Sequence, residues 1–554
     1  MSLRIPILYR EPRDSRKARK CANNHWKISN VAAVTPPWSG LSGGTVIQIN
    51  PRVIPFLAVA LHACGGSSGP RTVSASFTTI YQSDDGTQTS VAGLPPNTPA
   101  PTALLYADGG SYTSIPVTVS DGGTFSVPLV PHGTYYLRSD TTSFGETQVL
   151  LTPLTADHPD LSAILHGRAD AVAPSQSSPV TLNVTGLAPW STTDSLLLTA
   201  AQAQTTESAF LNSPLGSRPP AGATSAQVTL DWQSSIIDGL GLLPDATKRD
   251  VTFIYHRTAT PLANGGKAAV AARFARLTNF TVPDGGGLTV NVDLQAAPLT
   301  SKVATAAQLS KFAALVSEMN PAATTGPVPG INIESAAVSI FSVPGSVDFP
   351  NLPSQFNSIG RLAAYDYADM DADADYGTLS YGGFLDPFFK DVRQFTYVVN
   401  VPIPPIGNVV SQHFTFGALF LAQEAITGGQ ANPIAPVIGP VRSPQINGKD
   451  AFTAQTGVGL TPVFSWSPPS LGAPTSYSIL IQSFAGGPPG FVATTINASV
   501  FGATSFTVPP GLLAPGGLYI ATITAVQAQQ DENRPFRSGY PFYSADAVTN
   551  TFTP

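Results

Sequence analysis

Asp366, Asp369, Asp371, Asp373 and Asp375 crowd into AAYDYADMDADADYG, the densest set of metal-capable side chains in the chain. Asp369, Asp371, Asp373 and Asp375 alternate with other residues, so an extended backbone puts all four on one side. Carboxylates in that array are hard oxygen ligands suited to Ca2+, which makes these four the candidate calcium ligands and Ca2+ the candidate cofactor. An EF-hand register started at Asp371 fails, because its sixth position is Tyr376 and its twelfth is Gly382, where Gly and Glu are needed. The competing reading is a solvated acidic loop whose like charges are screened by salt.

Catalytic patterns are weaker. G-x-S-x-G occurs at Gly40–Gly44 and Gly65–Gly69, but a nucleophile elbow needs a strand before it and a helix after it, and neither copy has that setting. His132, His158, His166, His256 and His413 show no H-E-x-x-H spacing. His158 and His166 flank DLSAIL, where Asp157 or Asp160 would complete a metal set if the loop folded back. Phe384, Phe388, Phe389, Phe414 and Phe416 read as core rather than as a sugar platform, since phenylalanine lacks the polar tip of Trp and Tyr. No residue is assigned a catalytic role. The chain reads as a binding or scaffolding protein, with a secreted polysaccharide-active hydrolase, catalytic over residues 166–430, as the alternative.

The apolar run Val53–Leu61 is too short to cross a bilayer core of about 30 Å. Arg52 gives it a positive flank, and the small Ala63 precedes Cys64, the order of a secretory signal peptide. Of the chain's 2 cysteines, Cys64 alone follows that cleavage point, so it has no partner for an internal disulfide. Gly65–Pro70 after it has the composition of a flexible tether. Leu61-His62-Ala63-Cys64 resembles the lipobox of bacterial lipoproteins. The resemblance implies cleavage before Cys64, lipidation of its thiol, a membrane partner through that anchor and, with Gly65 next, the outer membrane. Residues 1–45 then read as a mis-annotated or disordered leader and 46–63 as the signal peptide. Basic residues concentrate before Cys64, so the remaining chain is more acidic than the net charge of −6 for the whole, which argues against nucleic acid as a partner. A cell-envelope protein or polysaccharide is the expected partner instead.

Charged residues are scarce at 11%, Gly and Pro number 49 and 52, and 42% of residues are hydrophobic. Many short Val/Ile/Thr/Phe segments cut by Gly and Pro predict a mostly β chain of several sandwiches. Three regions are expected: 71–165, 166–430 and 434–554. Asp121-Gly122-Gly123 and Pro283–Gly287 read as hairpin turns. Val303, Ala306, Leu309, Phe312, Val316 and Met319 follow a three/four spacing, predicting one amphipathic helix over 302–319. DGGTFSVPLVPHGTYYLR at Asp121–Arg138 resembles carboxypeptidase-regulatory-like and transthyretin-like sandwiches, which implies a structural or binding module. VFSWSPP, YSILI, SFTVP and LAPGGLYIATITAV between Val463 and Val526 resemble strands of a fibronectin type III domain, with Trp466 at its core tryptophan and Tyr519 at its tyrosine corner.

Overall fold

The structure is a computed structural model that describes residues 69–94, 98–108, 111–143, 146–209, 218–233, 241–324, 330–344, 348–350, 360–383, 385, 389–403, 414–426, 432–484 and 492–554. It is mostly β, with a single α-helix among the described residues. The first strands are β1 (Arg71–Gln82), β2 (Gln88–Ala92), β3 (Pro101–Asp108), β4 (Ser111–Pro116), β5 (Thr124–Val130), β6 (Tyr135–Ser143), β7 (Glu146–Leu154) and β8 (Leu161–His166). β1 pairs with β2, β5 and, in parallel, β8, and a second layer runs β4, β3, β6, β7. Phe77, Phe125, Tyr135 and Leu161 fill the space between. Tyr135 is buried while its neighbour Tyr136 is not fully so, as adjacent strand residues must face opposite ways.

Asp121-Gly122-Gly123 is a tight turn, with Gly123 at φ 72, but it is not a hairpin. The strand before it pairs with β3 and the strand after it with β1, so the turn carries the chain between layers. A Cβ on Gly123 would lie 2.6 Å from the Cα of Gly93, so this crossing also needs a glycine for space.

The next sandwich uses β9 (Pro179–Thr185), β10 (Ser195–Ala200), β11 (Thr205–Ala209), β12 (Ala226–Asp231), β13 (Thr252–Pro261), β14 (Lys267–Leu277) and β15 (Leu288–Asp293). The sheet β12–β9–β15 lies over β10, β13 and β14, with Trp190, Trp232 and Phe280 in the core they share. Pro283–Gly287 is also not a hairpin, because β15 pairs in parallel with β9 and not with β14. Asp284 explains the departure: it accepts from Ser175 N at 2.9 Å and Ser175 Oγ at 2.6 Å, pinning the turn to a distant loop.

The chain continues with β16 (Gln295–Ala296), β17 (Ser301–Ala304), α1 (Leu309–Met319), β18 (Asn332–Pro344), β19 (Asp348–Pro350), β20 (Gly360–Asp366), β21 (Thr378–Tyr381), β22 (Phe389–Ile403) and β23 (Phe414–Ala425). The helix is shorter than the spacing predicts. Val303, Thr305, Ala307 and Leu309 are buried alternately, a period of two, and β17 pairs there with β21. From Leu309 the period changes, and Leu309, Phe312, Val316 and Met319 turn inward. Phe312 packs on the sheet face against Phe395, Tyr397 and Phe420 at 4.9, 5.4 and 5.5 Å between ring centroids.

The last strands are β24 (Arg442–Ile446), β25 (Lys449–Asp450), β26 (Val463–Ser467), β27 (Ser476–Phe484), β28 (Val492–Phe501), β29 (Ser505–Thr507), β30 (Leu518–Gln530) and β31 (Arg537–Val548). β24, β26 and β29 form one small sheet, and β28, β27, β30 and β31 run side by side in another. Trp466 meets Tyr477 edge-on at 5.2 Å, and Tyr519 Oη accepts the N–H of Ala514 at 2.7 Å.

Among the described residues, 18 strands join in one hydrogen-bonded sheet. Successive pairings lead from β10 through β13, β14, β20, β18, β22, β23, β31, β30, β27, β28, β7, β6 and β3 to β4. Strand pairing therefore links the region 434–554 both to 71–165 and to 166–430. β28 runs parallel to β7 from Thr494↔Thr147 to Ala498↔Leu151, and β23 meets β31 from Phe420↔Ala545 to Gln423↔Phe542. No helix among the described residues is long and apolar enough to cross a membrane.

Candidate functional site

The acidic run lies in the loop between β20 and β21, beside the start of α1, and its carboxylates are put to separate uses. Gln308 caps α1 without a side-chain bond. Asp373 supplies the missing acceptor, taking Ser310 N at 3.1 Å and Ser310 Oγ at 2.5 Å. Those bonds hold its carboxyl below the usual range. Asp375 Oδ1 accepts from Gly377 N at 2.8 Å, closing its own turn. Asp369 and Asp371 remain as an exposed pair, and the hydrogen bond and charge of Asp369 push Asp371 up. Among the described residues no three His, Cys, Asp or Glu side chains converge as a metal would need. The four-on-one-face array presumed an extended backbone; the chain instead bends over residues 370–372 and is held as a β-bridge only at Ala374, opposite Ala307.

His158, His166 and His256 serve as structural partners. His158 Nδ1 lies 2.9 Å from Ser74 Oγ and 3.2 Å from Ser74 O. A proton on Nδ1 donated to that carbonyl leaves no base for the hydroxyl, and nearby Asp157 is bonded to Arg71 at 2.7 Å. His166 faces elsewhere, with Nε2 2.8 Å from Asp84 Oδ1, so His158 and His166 do not form a metal pair. His256 is fully buried, stacked on Trp190 at 5.0 Å, with Nε2 3.1 Å from Asp194 Oδ2. Asp194 also accepts from Ser191 Oγ at 2.8 Å, so the carboxylate stands between hydroxyl and imidazole. A triad needs the imidazole in the middle, and this order cannot activate the serine. Burial pushes the His256 pKa down, against the raising effect of Asp194. His132 is exposed, and His413 lies outside the described residues.

A recess of 440 Å³ opens between the C-terminal end of α1 and the β24–β25 hairpin, lined by Glu318, Arg442, Ser443, Gln445, Asp450 and Phe452 with Pro321 and Pro444. Arg442 Nε donates to Pro468 O at 2.9 Å, and Glu318 accepts from Ser470 Oγ at 3.3 Å, so two opposed charges are fixed to one loop. Asp450 Oδ1 accepts from Phe452 N at 3.0 Å. Sequence reading missed this set because its parts come from segments far apart, and none carries a local motif. Its one local cue is Asn447-Gly448, a hairpin turn with both residues at positive φ.

Cys64 and Phe384 lie outside the described residues, as do Phe388 and both G-x-S-x-G copies save Gly69. Phe389 is buried against Ala201 and meets the His166 ring at 5.2 Å, and Phe416 packs on the main core, so neither forms a platform.

No protein-family model matches the chain, and no curated protein matches it significantly. Among solved structures, a streptococcal ancillary pilin aligns with 65% of this chain and 98% of its own at 11% identity and a TM-score of 0.11. The tetra-tandem repeat in the extending region of a large adhesion protein aligns with 86% of this chain and 99% of its own, also at 11% identity and a TM-score of 0.11.

Proposed function

We propose that the protein is a lipid-anchored scaffold of a bacterial cell envelope that acts by binding a surface protein or polysaccharide. The observation that carries this reading is the continuous strand pairing from β10 to β4, which fastens the sandwiches to one another through backbone hydrogen bonds. Modules joined by flexible linkers move independently, whereas sheet pairing holds binding surfaces at fixed separations. The polar groups with catalytic potential are spent on this frame: Asp373 caps α1, and Asp194 holds His256 and the Ser191 turn. The hydrolase alternative gains no metal-holding set of three His, Cys, Asp or Glu side chains among the described residues of 166–430. Support for the anchor comes from the sequence Leu61–Cys64 and from the position of β1, which starts at Arg71, directly after the Gly/Ser tether. In this reading residues 71–165 and 434–554 are the carboxypeptidase-regulatory-like and fibronectin type III-like modules of an outer-membrane lipoprotein. Cell fractionation tests it: Cys64→Ser should move the protein from the membrane to the soluble fraction, and a variant that stays in the membrane would refute the anchor.

A further inference from the structure

The recess beside α1 is built more rigidly than a passive surface dip. Ser443 on its wall sits at φ 46, a left-handed conformation that non-glycine residues rarely adopt and that concentrates at ligand sites. The register of β24 against β26 slips between Arg442 and Gln445, a bulge of the kind that re-aims side chains. Asn447 Nδ2 donates to Val458 O at 2.8 Å and its Oδ1 accepts from Val463 N at 2.9 Å, so the hairpin is tied at its tip. The anchoring bonds of Arg442 and Asp450 use Nε and Oδ1. Among the described residues they leave the Arg442 Nη atoms and Asp450 Oδ2 without protein partners.

The volume of 440 Å³ falls within the range of about 300–1,000 Å³ usual for small-molecule sites. The lining alternates acceptors, Glu318 and Asp450, with a donor, Arg442, and with Ser443 and Gln445, which do both. Phe452 is only 6% exposed, so the floor is apolar but offers no stacking face. A ligand matching this set must donate to Glu318 and Asp450 and accept from Arg442 at neighbouring atoms. Adjacent hydroxyl groups do that. We propose that the recess binds a neutral saccharide unit, its hydroxyls bridging Asp450 and Glu318 to Arg442. This assignment rests on the surface-binding reading above and names the class of ligand.

The test is ligand-observed saturation-transfer NMR on the full chain, with methyl glucoside, methyl mannoside, methyl galactoside and N-acetylglucosamine as separate probes and glycylglycine as the zwitterionic comparison. Arg442 and Asp450 are exposed, so Arg442→Ala and Asp450→Asn should melt as the wild type does. The expected result is transfer to at least one sugar, weakened about tenfold or more by each variant, as loss of a charged hydrogen bond requires, and unchanged by Asn291→Ala on the distant face of β15. Transfer to none of the sugars overturns the proposal. So does sugar binding that both variants retain, or Arg442-dependent transfer to glycylglycine alone. Any of these leaves the Cys64→Ser fractionation result untouched, so failure of the site and failure of the scaffold reading are separable.

Discussion

Replacing Asp546 with asparagine should stabilise the protein at neutral pH and change little in acid. Asp546 lies where β23 and β31 part company: Oδ2 accepts the Leu419 N–H of β23 at 3.0 Å and Oδ1 accepts the Thr524 hydroxyl of β30 at 2.7 Å. Burial pushes its carboxyl up from 3.8 to about 6, against the lowering effect of those two bonds, and no charged group compensates it. At about 1.4 kcal/mol per unit, the ionised form is disfavoured in the fold by about 3 kcal/mol. Because the folded pKa is raised, the stability this group contributes is fully present below 3.8 and lost as pH rises through about 6. Asparagine keeps the geometry, its oxygen accepting from Leu419 and its amide donating to Thr524, without the charge. Urea unfolding of both proteins from pH 4 to 7.5 should give stabilities that agree near pH 4 and separate by about 1–3 kcal/mol in favour of the variant at pH 7.5. A variant less stable than wild type at pH 7.5, or an offset independent of pH, would refute the reasoning, since either means that burial does not disfavour the ionised carboxylate in the fold.

Three further outcomes follow from the packing and the polar groups. Phe312→Ala removes the ring between α1 and β22–β23 and should cost about 3–5 kcal/mol in urea unfolding. Asp373→Asn weakens the cap on Ser310, so hydrogen exchange should quicken in the first turn of α1 and stay unchanged in β9, β12 and β15. His256 has a lowered pKa, so the unfolded chain takes up its proton first and stability falls as pH drops below about 6.5; His256→Gln should flatten that acid limb in pH-dependent melts.

Strands and the inner face of the helix were legible because they depend on local period. Leu309, Phe312, Val316 and Met319 point inward as their spacing requires. The helix start was not legible, because Val303 fits both a three/four spacing and a period of two, and the choice is made by pairing with β21. Turn chemistry at Gly123 and Gly285 specified a reversal but not the strand that receives the chain, which here belongs to another layer. The pairings β7–β28 and β23–β31 join segments far apart in sequence and leave no local trace. The aspartates were visible as a cluster, but that Asp373 faces Ser310 depends on where α1 begins.

The anchored scaffold is tested most directly by the intact mass of the protein extracted from its native membrane. The account predicts a chain beginning at Cys64 with added acyl mass. An unmodified chain that retains residues 1–63 would contradict it.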